Sequence, residues 1–149
     1  MDTEMGPLVI LPKGACINQH QYTNKVLKPA FVPFYKKMVR KYSKDVVMQE
    51  DGAKYHHAKI PTAFKTKEGV ICLKWPAQSP NLSPIENLWK QLKNAISARR
   101  HKIRSIYKME VALQQEWAKI KEETLNKLME SMPKRISEML SRKGGATHY

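Results

Sequence analysis

Two carboxylates in the sequence sit where acids could do work. Asp51 closes the run "VVMQED", and Glu86 opens the helical pattern that follows "WPAQSPNLSP". Thirty-four residues lie between them, in a markedly basic part of the chain: Lys54 to Arg104 carries eleven basic residues against two acids, Glu68 and Glu86. Acids facing a phosphate-rich partner need a bridging cation. Hard divalent ions take oxygen ligands, commonly one or two protein carboxylates plus substrate oxygens. A pair of such ions can activate an attacking oxygen and steady a leaving one in phosphoryl transfer.

Plainer readings of the same residues are complete in themselves. Ser83, Pro84 and Glu86 match a capping box with proline at the first helical position. Lys90 lies four residues beyond Glu86, well placed for a surface ion pair. Asp51 can be an ordinary turn aspartate after a strand, and His56 and His57 can be unremarkable surface or core histidines. What weakens these readings is the combination. Each acid follows a predicted strand, and in α/β sheets functional groups gather at the carboxyl ends of strands.

The elements that must hold the acids can be read from periodicity. "GPLVILP" (6–12), "DVVMQED" (45–51) and "VICLKW" (70–75) read as strands. The segment 18–42 reads as helix, with Pro29 and Pro33 expected to kink or divide it. A short helix near 56–69 is expected to be interrupted at Pro61. Beyond Pro84 a helix runs to about Arg99, with Ile85, Leu88, Trp89, Leu92 and Ile96 on its core face. Two further helical regions follow, roughly 107–122 and 125–140, the last broken near Pro133. Strands alternating with helices, then a helical tail, predict an α/β architecture. In the loop before Glu86, Pro76, Pro80 and Pro84 lower the entropy lost on ordering it. Trp89 and Leu92 are expected to dock the helix on the sheet.

Composition narrows the class of partner. The 149 residues carry 27 Lys plus Arg against 13 Asp plus Glu, a net charge of +14. A surplus of that size favours a polyanion, because neutralised phosphates release counterions. No apolar run approaches a membrane span. The acidic start "MDTEM" is not expected to be a secretory or mitochondrial leader. Cys16 and Cys72 form no C-x-x-C pair, which fits a reducing, intracellular setting.

"WPAQSPNLSPIENLW" (75–89) resembles the signature around the last catalytic acid of the mariner-like (Tc-one type) DNA transposases. "VVMQEDGAKYHHA" resembles the segment around that family's second aspartate, with Asp51 and His56 at matching positions, and the interval to Glu86 is typical of that branch. The tail from Glu123 to Tyr149 resembles the family's end. Asn81 stands where the family usually has aspartate, Ser83 where it often has asparagine, and Gly52 where asparagine usually follows the second aspartate.

The resemblance implies a ribonuclease-H-like catalytic domain with two aspartates and a glutamate. It implies Mg²⁺ or Mn²⁺ as cofactor, DNA as partner, and strand cleavage followed by transfer, in the nucleus. Asp51 and Glu86 would be the catalytic metal ligands, supported by His56, Ser83 and Pro84. The family's first aspartate has no counterpart in the matched segment, and Asp2 lies too close to the 6–12 strand to take that role.

The expectation is therefore a partial ribonuclease-H-like fold, three strands kept and central strands missing. Residues 1–104 would form the partial catalytic domain and 105–149 its helical extension. As a carboxy-terminal fragment, the polypeptide alone is expected to be inactive. Its sheet edge would be bare, and open to a second copy or a full-length transposase. Lys54, Lys90, Lys93, Arg99 and Arg100 are the candidate phosphate contacts, about half of them expected to be idle. The alternative is a non-enzymatic basic protein that binds DNA or pairs with a partner.

Overall fold

The computed structural model describes residues 4–42, 46–75 and 82–142. It falls into two units, Val9–Ser79 and Met1–Leu8 with Pro80–Tyr149.

In the first unit, Asn18 caps helix α1 (Gln19–Tyr22), its side-chain oxygen accepting the His20 and Gln21 N–H groups at 3.0 Å each. The chain stays helical from there to Tyr42, passing through a π-wound stretch, Thr23–Phe31, into α2 (Val32–Tyr42). The expected division at the prolines is a change of winding instead. Pro29 has no N–H to give, and its ring would press on the carbonyl four residues back in an α-turn. The wider turn, in which the Val32 N–H reaches the Leu27 carbonyl, carries it.

Helix α3 (Lys59–Lys67) is not interrupted at Pro61, because that residue falls in the first turn, where a missing N–H costs no helical bond. At its other end Gly69 takes φ +71°, while its N–H bonds Thr66 O and the Val70 N–H bonds Lys65 O. This Schellman reversal sends the buried Val70 straight into the next extended segment.

That segment meets the one at 46–50 through a parallel bridge, Met48 to Cys72: Met48 N–H donates to Ile71 O and Leu73 N–H to Met48 O, both at 2.7 Å. Among the described residues this bridge is all that forms of the three expected strands. On one side of the bridge the pairing is stopped by Tyr35. The next rung would join the Ile71 N–H to the Val46 carbonyl. Instead the Tyr35 hydroxyl stands between them, accepting from Ile71 N–H at 3.1 Å and donating to Val46 O at 3.0 Å. The segment 6–12 likewise has no strand partner among the described residues. Two of its carbonyls are not bare, however: Gly6 O accepts from Trp117 Nε1 and Leu8 O from Gln114 Nε2.

The first unit's core gathers Tyr22, Leu27, Val32, Tyr35, Met48 and Val70, with Val26, Phe31 and Phe64 packed against them. Fully burying one such apolar side chain stabilises by about 1.5–3 kcal/mol.

The second unit is helical: α4 (Pro84–Ala98), a 3₁₀ turn (Arg100–Lys102), α5 (Ile106–Ala118), α6 (Glu122–Glu130) and α7 (Met132–Ser141). The break expected near Pro133 falls at Ser131, which leaves the proline in the first turn of α7. Leu88 and Leu92 are the buried residues of α4, whereas Ile85 and Trp89 are exposed. Trp89 stacks on Trp117 of α5, ring centroids 5.2 Å apart, rather than docking on a sheet. The buried Arg135 ties α7 to α4 by donating to Asn87 Oδ1 at 3.0 Å.

Candidate active site around Asp51

Alternation along an extended chain sorts the two acids at the end of the 46–50 segment. Met48 faces the core, so Glu50 faces inward and Asp51 outward. The Glu50 side chain is 6% exposed and that of Asp51 76%.

The turn after Asp51 shapes itself around that carboxylate. Its Oδ1 accepts the Ala53 N–H at 3.0 Å, an Asx-type bond, and the His56 N–H donates to Ala53 O at 2.9 Å. His56 then lies against the aspartate, Nδ1 2.8 Å from Oδ1, close but without the alignment of a hydrogen bond. His57 Nε2 is 2.9 Å from the Asp51 backbone carbonyl. The His56 ring packs between Tyr22 and Tyr55, at centroid distances of 4.5 and 4.4 Å.

Beneath this turn lies a buried polar network that the motif reading missed. Glu50 accepts from the Tyr22 hydroxyl at 2.5 Å and pairs with the buried Lys65, whose ammonium also donates to His56 O at 3.0 Å. Burial, reinforced by Glu50, raises the Tyr22 phenol far above its ordinary pKa. Burial, then the negative charge of Asp51, raises that of Tyr55. The signal for Glu50 was present in the alternation itself, because an acid on the inward face requires a cation.

Glu86 sits in the first turn of α4 and is exposed. Ser83 occupies the cap position in extended conformation, but its side chain makes no capping bond. The Glu86 N–H goes to the Ser83 carbonyl at 3.2 Å instead, so the expected capping box does not form. Nor is a Glu86–Lys90 pair among the ion pairs of the described residues. Neither of these two bonds forms, while Glu86 keeps the first-turn position that suits an acid at a helix N-terminus. Pro84 starts the helix as expected. Pro76, Pro80 and Asn81 lie outside the described residues. At Gly52, a Cβ would meet nothing within 4 Å, so the departure from asparagine is sterically neutral.

Of the candidate phosphate contacts, Lys54, Lys90, Lys93 and Arg100 are exposed. Arg99 is engaged within its own unit: Nη1 donates to Glu116 at 2.6 Å and Nη2 to Gln115 at 2.9 Å. Lys119, followed by Arg99, holds the Glu116 carboxyl below its usual pKa.

Among the described residues no three His, Cys, Asp or Glu side chains group as a metal cage. The donor chemistry at Asp51 nonetheless fits a hard divalent ion, which can use one exposed carboxylate and draw its other ligands from water and substrate. No helix among the described residues is long and apolar enough to cross a membrane.

The architecture has a counterpart among solved structures. The catalytic domain of Mos1 mariner transposase superposes with a TM-score of 0.73 at 19% identity, covering 91% of this chain and 66–68% of that one. Structures of that domain include complexes with raltegravir and Mn or Mg. The fold is thus that of a transposase catalytic domain. At the level of sequence, the DDE superfamily endonuclease profile matches residues 10–109. The Tc3 transposase of Caenorhabditis elegans is 31% identical over 114 residues, 76% of this chain and 35% of its own length. The Tc1 transposase of the same organism is 28% identical over 147 residues, 99% of this chain and 51% of its own. The chain belongs to the DDE superfamily endonucleases, among the transposases of the Tc1 and Tc3 kind. It spans between a third and about half of the length of these relatives.

Proposed function

We propose that this chain supplies the Asp51 and Glu86 carboxylates to a transposase active site that cuts and rejoins DNA. What supports the reading is the state of Asp51: three-quarters exposed, one oxygen fixed by the Ala53 N–H and backed by His56. An acid needed only to close its turn would not require the histidine.

In this reading Asp51 and Glu86 serve as Mg²⁺ or Mn²⁺ ligands of a ribonuclease-H-like catalytic domain. Bound there, the ions would activate the attacking oxygen and steady the leaving one. His56 keeps Asp51 turned outward, and Ser83 and Pro84 set where Glu86 leaves the backbone. Lys54, Lys90, Lys93 and Arg100 meet phosphates, with Arg99 contributing less because Glu116 and Gln115 already hold it. Residues 1–104 carry the catalytic part and 105–149 extend it. The setting is the nucleus, and the partners are DNA and a second or longer transposase copy. The 149-residue polypeptide tested alone, with two of the three acids that the family resemblance implies, does not cleave DNA.

The test is a chimera in which residues 10–109 replace the matching part of an active Tc1-type transposase. Excision is expected to fall at least about a hundredfold on Asp51→Asn or on Glu86→Gln, more than the loss usual for groups that only support a metal ligand. A chimera that excises equally well with both substitutions would overturn the assignment.

A further inference from the structure

We infer that Lys65 is a positioning residue for Asp51: one buried ammonium grips both ends of the turn that carries the aspartate. The inference rests on the reading of Asp51 as a metal ligand.

Lys65 projects from α3, one turn beyond the buried Pro61. Its Nζ meets the Glu50 carboxylate, one residue before Asp51, and the His56 carbonyl, five residues after it. An ammonium has three donors and no acceptor, and two of them are spent on closing this one turn. The grip reaches Asp51 from both sides. Fixing Glu50 fixes the backbone into the aspartate. Fixing the His56 carbonyl fixes the imidazole whose Nδ1 lies 2.8 Å from Asp51 Oδ1. Tyr22 completes the brace, holding the other Glu50 oxygen while its ring packs against that of His56.

Packing alone does not account for this arrangement. Two charges removed from water gain little or no stability over a well-packed apolar pair of the same volume. What the ion pair adds is direction. It demands one geometry of the loop, where apolar contact would accept several. A carboxylate that must meet a cation with defined oxygen geometry needs its supporting groups fixed in this way.

The test follows the Ala53 amide, which bonds Asp51 Oδ1, and the Val70 amide, which bonds Lys65 O at the end of α3. Lys65→Met alone leaves Glu50 buried without its cation and is expected to unfold part of the unit. The decisive variant is therefore the double substitution Glu50→Gln with Lys65→Met, which removes both charges. In that variant, hydrogen exchange at Ala53 is expected to quicken about tenfold or more while Val70 keeps its protection, the mark of local rather than global opening.

Titration with Mn²⁺ alone, read by line broadening at Ala53 and His56, is expected to show about ten- to a hundredfold weaker binding than in the unsubstituted chain. Unchanged Ala53 exchange in the folded double variant would overturn the positioning role. If the unsubstituted chain shows no Mn²⁺ broadening at Ala53 or His56, the metal-ligand reading of Asp51 falls. The exchange rates then still decide whether Lys65 holds the turn.

Discussion

The Tyr35 hydroxyl accepts the Ile71 N–H at 3.1 Å, at the place where a parallel ladder would offer the Val46 carbonyl. The same hydroxyl donates to that carbonyl at 3.0 Å, so a phenol replaces one rung of the sheet. Tyr35→Phe removes the group that satisfies both. If the two segments cannot close the gap, a buried N–H and a carbonyl lose their partner, at a cost of about 1–3 kcal/mol. Urea denaturation followed by circular dichroism measures this. An unchanged midpoint would mean that the segments close into a direct rung.

The ion pair between Glu50 and Lys65 makes its own prediction for stability. Lys65→Met strands a buried carboxylate and is expected to cost about 3–5 kcal/mol, whereas the double variant with Glu50→Gln recovers most of that loss. Chemical denaturation of the two variants side by side gives the coupling. Equal losses in both would mean that the pair does not act as a unit.

How far the sequence revealed this arrangement depends on the kind of signal. The helices were legible because their apolar residues repeat at 3.6-residue spacing, and α4 starts at Pro84 as predicted. Asp51 and Glu86 were singled out by the motifs around them, and the structure puts Asp51 in an Asx-type turn and Glu86 in the first turn of α4. The strands were less legible. A run such as "VVMQE" has the right residues, but pairing depends on a distant group, and nothing local announces that Tyr35 will enter the ladder. Lys65 escaped for a related reason. It reads as one more lysine in a basic stretch until the inward alternation of Met48 and Glu50 makes a buried cation necessary. The capping box at Ser83 failed in the opposite direction, since residue types fitted but the serine side chain makes no such bond.

Alkaline pH should reveal the buried phenol of Tyr22. Its folded pKa is raised, first by burial and then by Glu50, above the ordinary value of 10.0. The stability this contributes is fully present below pH 10 and declines above it, because the unfolded chain releases a proton that the folded one keeps. Each pH unit beyond about 10 should cost about 1.4 kcal/mol from this group. The difference in denaturation midpoint between the unsubstituted chain and Tyr22→Phe, followed from pH 8 to 11, isolates it. A constant difference across that range would show that the phenol ionises as freely in the folded state as in the unfolded one.

Arg99 and Arg100 are adjacent in sequence but differently engaged. The Arg99 guanidinium is tied to Glu116 and Gln115, while Arg100 is exposed in the following 3₁₀ turn. Arg100→Ala is therefore expected to weaken DNA binding across sequences and to lower the slope of log K against log salt by about 1. Arg99→Ala should leave that slope nearly unchanged and act on folding instead. Losing one of the two cations beside Glu116 lets its carboxyl rise toward the ordinary range. A depressed carboxyl contributes stability above its unfolded pKa, lost as pH falls through the folded one, so the acid unfolding limb of Arg99→Ala should begin at higher pH. Fluorescence anisotropy with a labelled duplex at several salt concentrations, beside acid denaturation, separates the two roles. If both substitutions lower the salt slope equally, Arg99 leaves Glu116 on binding and meets a phosphate as its neighbour does.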